Sequence, residues 1–186
     1  MPYTMEEKYK LIREEFFHQQ SNNPIDIVKT IAKKDFVNIH GPEHHFLDGG
    51  ALLTAMFNDG YEFDLDRGLD MLAERSIKMP GAMCGHWGVC GSVASIGAVL
   101  SIIDGTGPLS DDENYSKHMA FTSRVIAKMS EIGGPRCCKR NAFLALTEGI
   151  KYINENFLTA MPVEDISCEF SDKNAQCIKE RCPFHK

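Results

Sequence analysis

The chain has 186 residues, 43% of them hydrophobic, and a formal net charge of -6. That is enough apolar material for the core of one ordinary domain, and an acidic balance without a basic run argues against nucleic acid as a partner. The longest apolar region, Gly88 to Ile103, is shorter than the roughly 20 residues that cross a bilayer and is diluted by Gly and Ser, and MPYTMEEKYKLIREEFF lacks the apolar stretch of a secretory signal, so a soluble cytoplasmic protein without membrane contact is expected.

Met5, Tyr9, Ile12 and Phe16 recur at helical steps, so the chain opens with an amphipathic helix. Ser21 to Asn23 interrupt it, and Pro24, suited to a first turn, starts a second helix to about Lys34. Gly41-Pro42 marks a loop. A third helix is expected from Phe46 to Asn58, stopped at Asp59-Gly60, and a fourth from Asp64 to Lys78 with Leu65, Leu69 and Leu72 on one face, ended by Pro80-Gly81. After a Cys/Gly loop over 81–90, the small-residue segment Ser92 to Asp104 reads as a buried, central helix whose Gly91, Ser95 and Gly97 permit close packing. Gly105 to Asp112 reads as a loop and Tyr115 to Ile132 as a helix. Gly133-Gly134-Pro135 breaks the chain before the longest predicted helix, Arg136 to Phe157, with Phe143, Leu146, Ile150, Ile153 and Phe157 on its core face.

No segment alternates as a strand does. The fold class is therefore all-α, a single bundle of about six to seven helices over residues 1–161, with a cysteine-rich irregular tail over 162–186 packed on or tethered to it. The tail has few large apolar groups, so a crosslink or a metal is expected to order it.

The seven cysteines are an odd number in a chain without an export signal, which makes a disulfide framework the weaker reading. Reduced thiols are free to bind metal or to react. Cys84-Gly85-His86-Trp87-Gly88-Val89-Cys90-Gly91 sets two thiols and an imidazole in a glycine-rich turn leading into a helix, where unpaired N–H groups favour the thiolate of Cys90. Gly134-Pro135-Arg136-Cys137-Cys138-Lys139-Arg140 repeats that arrangement with three cations alongside, which is expected to lower the thiol pKa. Adjacent helical residues point about 100° apart, so Cys137 and Cys138 need not share a role. The alternatives are that Cys84 and Cys90 are buried packing residues and that one of Cys137 and Cys138 belongs to the core.

Cys168, Cys177 and Cys182, the last in Cys-Pro-Phe-His, give three sulfurs and a terminal imidazole. Structural zinc, an iron–sulfur cluster completed by a thiol from elsewhere, and a tail disulfide all suit them. His40-Gly41-Pro42-Glu43-His44-His45 places three imidazoles and a carboxylate around a loop, where they serve proton transfer or metal binding, or else form a solvated helix start.

GPEHHF, CGHWGVCG running into a small-residue helix, GPRCCKRN and CEFSDKNAQCIKERCPF together resemble an uncharacterised bacterial and archaeal family, many of its members from anaerobes, from about Asn38 onward. More distantly, Cys90-Gly91 followed by Gly97 is similar to the second half of a family of small helical proteins with a Cys, Gly-Cys-Ala-x-x-Gly, Cys, Cys signature, and that similarity implies redox or metal-cluster work. Gly49 to Thr54 carries neither the cysteine nor the final glycine of that signature.

The functional expectation is a cysteine-ligated metal protein, iron–sulfur or zinc, acting in redox or metal-assisted chemistry on a small-molecule substrate or with an electron-transfer partner. Its ligands are drawn from Cys84, Cys90, Cys137, Cys138, Cys168, Cys177 and Cys182, with Glu43, His44, His45 and His86 as candidate catalytic groups. Cys84 and Cys90 are expected to converge with one or both of Cys137 and Cys138. A non-catalytic interaction module stabilised by zinc and a metal-free thiol redox protein are the alternatives.

Overall fold

In the computed structural model, which describes residues 3–185, eight α-helices and two 3-10 turns make up the regular structure, and no strand is found among the described residues. α1 (Met5–Phe16) opens with a capping box in which Thr4 accepts from the Glu7 N–H and the Glu7 carboxylate accepts from the Thr4 N–H. α2 (Pro24–Ile31) has Pro in its first turn and Asn23 as its cap. α3 (His44–Asn58) is followed by α4 (Leu65–Ser76), capped by Asp64, whose side chain accepts from the Arg67 N–H. α5 (Met83–His86) is a single turn inside the segment expected to be a loop; it follows Ala82, a non-glycine residue in the left-handed region at φ 62°. α6 (Gly91–Ile103), α7 (Glu113–Ile132) and α8 (Cys138–Asn156) complete the set.

Seven helices therefore have two turns or more, matching the expected number, and α5 is the addition. Two expectations are corrected. The longest helix is α7, with 20 residues against 19 in α8, because Pro135 to Cys137 are not helical, Cys137 being extended, and the start of α8 is delayed. The α3 N-terminus lies two residues earlier than expected, so His44 and His45 belong to the helix and not to the loop.

α3 and α6 form the centre. α3 packs against α1, α2, α4, α6 and α8, and α6 against α3, α4, α7 and α8. The sequence permits this through small residues at the crossing: the Gly49 N–H donates to Ser95 Oγ at 3.0 Å, and a side chain at Gly50 would overlap the Phe16 ring. Phe16, Phe46 and Phe143 are fully buried, each contributing on the order of 1.5–3 kcal/mol through burial.

The tail contributes to this core, contrary to the expectation that it lacks anchors. Ile166 and Phe170 are buried in the same apolar cluster, as is Met161 just before the tail, and Phe184 meets Phe143 edge-to-face at 5.6 Å. The Cys168 N–H donates to the Phe184 carbonyl at 2.8 Å, which closes the tail into a loop.

Candidate functional site

The N-terminus of α8 divides the thiols into two groups. Cys137 is the cap residue and Cys138 the first helical residue, and they lie against different cavities, as their angular separation allows.

Cys137 lines a small cavity of about 20 Å³ together with all three tail cysteines, Cys168, Cys177 and Cys182, and with Lys139, Arg140, Asn174 and His185. The tail presents its sulfurs through its turns: the Cys177 N–H donates to the Asn174 carbonyl at 2.9 Å and the Cys182 N–H to the Lys179 carbonyl at 2.7 Å. Lys179 sits in the left-handed region at φ 49°, and its N–H donates to Cys177 Sγ at 3.4 Å. The Phe170 N–H donates to Cys168 Sγ at 3.5 Å, and Cys137 Sγ accepts from the Arg140 N–H at 3.4 Å and from Asn174 Nδ2 at 3.5 Å. Three of the four sulfurs thus receive N–H donors. Burial raises the Cys168 thiol pKa, and the nearby Cys137, Cys182 and Cys177 sulfurs add to the rise against the opposing Phe170 N–H.

Two cations border this cavity from within the protein. Lys139 and Arg140 are 1% and 5% exposed, yet among the described residues neither forms an ion pair with a carboxylate. Lys139 Nζ is 3.3 and 3.4 Å from the Asn38 and Ile39 carbonyls and 2.8 Å from His44 Nε2. Arg140 donates to the Gly133 and Pro135 carbonyls. Burial lowers the Lys139 pKa to about 8.

Cys84, Cys90 and Cys138 line a second, larger cavity of about 270 Å³ with His40, His44, His45 and Arg136. Asn141 Nδ2, one turn beyond Cys138, donates to Cys90 Sγ at 3.3 Å. His45 presses against Gly91, where any Cβ would overlap its ring. Burial pushes the Cys138 thiol up to about 12 and raises Cys90 as well. This corrects the expected lowering: desolvation outweighs the helix terminus and the cations. Burial also lowers the His45 pKa, with Asp48 opposing.

Several buried groups beside this second cavity lack hydrogen-bond partners: His44 Nδ1, His45 Nδ1 and both oxygens of Asp48, which is fully buried. His44 Nδ1 and Asp48 Oδ1 are 3.8 Å apart, beyond hydrogen-bond range.

The remaining predicted residues stand apart. Glu43 is fully buried and accepts from Lys8 Nζ at 3.0 Å and from the Asn38 N–H at 2.7 Å, lining neither cavity. Burial works against its ionisation, but the backbone donors, His44 and Lys8 hold its carboxyl below the usual range. His86 is exposed and lines neither cavity. The solvated helix start is excluded, since His44 and His45 are buried. Asp48, Asn141 and Asn174 were not picked out by the sequence reading; nothing local distinguishes them, although Asp48 on an otherwise apolar helix face was a readable anomaly.

The cavities are joined by side chains. Asn174, which donates to Cys137 Sγ, holds His40 Nε2 at 2.9 Å through Oδ1, and His40 Nδ1 accepts from the Cys138 N–H at 3.4 Å. These contacts fix the proton of His40 on Nε2. All seven cysteines are free thiols. Among the described residues, no three His, Cys, Asp or Glu side chains are already gathered as ligands of one ion, and no helix is long and apolar enough to cross a membrane.

The chain belongs to a family of unknown function, DUF5714, whose model matches residues 12–185, reaching further toward the N-terminus than the motifs suggested. No curated protein and no solved structure matches it.

Proposed function

We propose that this is a cysteine-ligated metal protein whose centre is an iron–sulfur cluster held by Cys137, Cys168, Cys177 and Cys182, and that it exchanges electrons with a partner or a small substrate. The observation that carries this reading is a cavity lined by four thiols and bordered by two buried cations, Lys139 and Arg140, that form no close ion pair, Asp48 and Glu43 attracting Lys139 only from farther off. Buried charges require compensation. A metal centre bound by four thiolates is anionic and supplies it.

Four thiolates serve an iron–sulfur cluster as well as zinc, and the cavity, with room for about one water, has to open to admit a cluster. The N–H donors to Cys137, Cys168 and Cys177 suit thiolate ligands and are among the contacts that set a cluster's potential. The likeness of Cys90-Gly91 and Gly97 to a redox signature points the same way.

The test is anaerobic purification with iron and acid-labile sulfide analysis. A brown protein bleached by dithionite, with sulfide lost on Cys177→Ser, is the expected result. A colourless protein with stoichiometric zinc lost on the same substitution would replace the cluster with a structural zinc tying the tail to the bundle.

A further inference from the structure

We propose that Cys90, Cys138 and His45 form a second metal site, for a single divalent cation of zinc-like softness, with its remaining coordination position open to the larger cavity. The proposal does not rest on the cluster assignment, since it uses different residues and a different cavity.

Three elements bring these donors together. Cys90 is the N-cap of α6, Cys138 opens α8 and His45 lies in the first turn of α3. Asn141 ties Cys90 to the α8 face that carries Cys138, the two being one turn apart. Gly91, lacking a side chain, lets the imidazole of His45 lie against the residue next to Cys90. All three donors line the one cavity.

A second observation, independent of the thiols, calls for positive charge here. Asp48, one turn beyond His45 along α3, is fully buried with both oxygens unpartnered, and it faces the His45 imidazole, which is 7% exposed and otherwise meets the Met79 backbone. An orphaned buried carboxylate is costly. Lys139 attracts it across His44 but does not hydrogen-bond to it, since its ammonium meets His44 Nε2 and two carbonyls, so both Asp48 oxygens stay without a donor. A divalent cation beside Asp48 would offset its charge at close range.

Two thiolates and one imidazole form the donor set of an open zinc site, in which the last position takes water or substrate. Softness favours zinc or ferrous iron over magnesium or calcium. Binding converts two thiols to thiolates and releases both protons to solvent, and it draws the three side chains inward by rotation, since they are not yet gathered about one point. Cys84 lines both this cavity and the adjoining groove and is therefore placed at its rim, outside the ligand set. Arg136 lines the same two spaces, so the open position faces a cation and suits an anionic oxygen of a small ligand.

The test uses the full chain carrying Cys177→Ser, which removes the tail centre, and adds cobalt(II) as the probe. A thiolate-to-cobalt charge-transfer band is expected, unchanged by Cys84→Ser and weakened at least about tenfold in affinity by Cys90→Ser or Cys138→Ser. Gly91→Ala, which keeps every donor but displaces His45, should weaken it too, and helical circular dichroism separates lost metal from lost fold. Absence of the band in folded Cys177→Ser protein, or a band indifferent to both Cys90→Ser and Cys138→Ser, overturns the proposal. Loss of sulfide in Cys177→Ser with the cobalt band intact concerns the cluster alone, so the two assignments fail separately.

Discussion

The two cavities flanking the start of α8 have opposite electrostatic deficits. On the tail side, Lys139 and Arg140 are buried without a close ion pair, and N–H groups point at the sulfurs. On the bundle side, a buried carboxylate and two imidazole nitrogens lack partners. Lys139 and Asp48 attract each other across the start of α8 without pairing, so each side keeps groups that lack a close partner: cations on the tail side, a carboxylate and imidazole nitrogens on the bundle side. The contrast teaches that cysteine count alone says little about a site, and that the uncompensated groups around each thiol indicate what it can hold.

The largest expected effect breaks the tail side. Cys182→Ser should abolish visible absorbance and acid-labile sulfide while helical circular dichroism stays near the native value, because the apolar core lies mainly in the helices. A chromophore retained in full would remove Cys182 from the ligand set. Next comes the buried Lys8–Glu43 pair, which lines neither cavity but sits at the start of α3. Glu43→Ala leaves Lys8 buried without its partner and should cost about 3–5 kcal/mol in denaturant unfolding; a loss under 1 kcal/mol would mean that water reaches Lys8.

Gly91→Ala sharpens the comparison, since it touches no sulfur. Its Cβ meets the His45 ring, and overpacking of this kind costs about 1–3 kcal/mol. Sulfide content should be unaffected, so equal loss of both centres would show that the cavities are not separate.

The smallest effect is a control far from both. Glu148 joins Lys128 on α7 to Lys151 on α8. Burial works against its charge, but hydrogen bonds from Lys128 and Lys151 leave its pKa lowered. A carboxyl depressed in the folded state stabilises above its unfolded pKa and loses that contribution as pH falls through the folded value. Glu148→Gln should therefore cost about 0.5 kcal/mol at neutral pH and almost nothing once both forms are protonated. A penalty independent of pH would point to packing instead.

Most of the fold was legible because helix signals are local: the Thr4 capping box, Pro24 in a first turn, the Asp59-Gly60 stop and the apolar face of α8 are each read within a few residues. The missed turn of α5 is too short for any periodicity to reveal. The thiols were legible as residue types but not as groups. The spacing left open whether one or both of Cys137 and Cys138 join Cys84 and Cys90; Cys138 lines their cavity while Cys137 lies with Cys168, Cys177 and Cys182, a division set by how the tail folds back through Phe184 onto Phe143. The direction of the thiol shifts was misjudged because a helix terminus and flanking cations are visible in sequence, while the desolvation that outweighs them depends on burial.

Cys137 and Cys138 are successive residues, and that adjacency has a thermodynamic consequence. One peptide bond separates the residues that line the two cavities and would join the two proposed centres, and the Asn174–His40 bridge spans the same gap. A ligand that shifts the first turn of α8 from one side does work on the other, so each occupancy biases its neighbour's affinity by a common factor. Titrating cobalt into cluster-loaded and cluster-free protein measures that factor, and a ratio of one would mean the helix end is too rigid to carry the message.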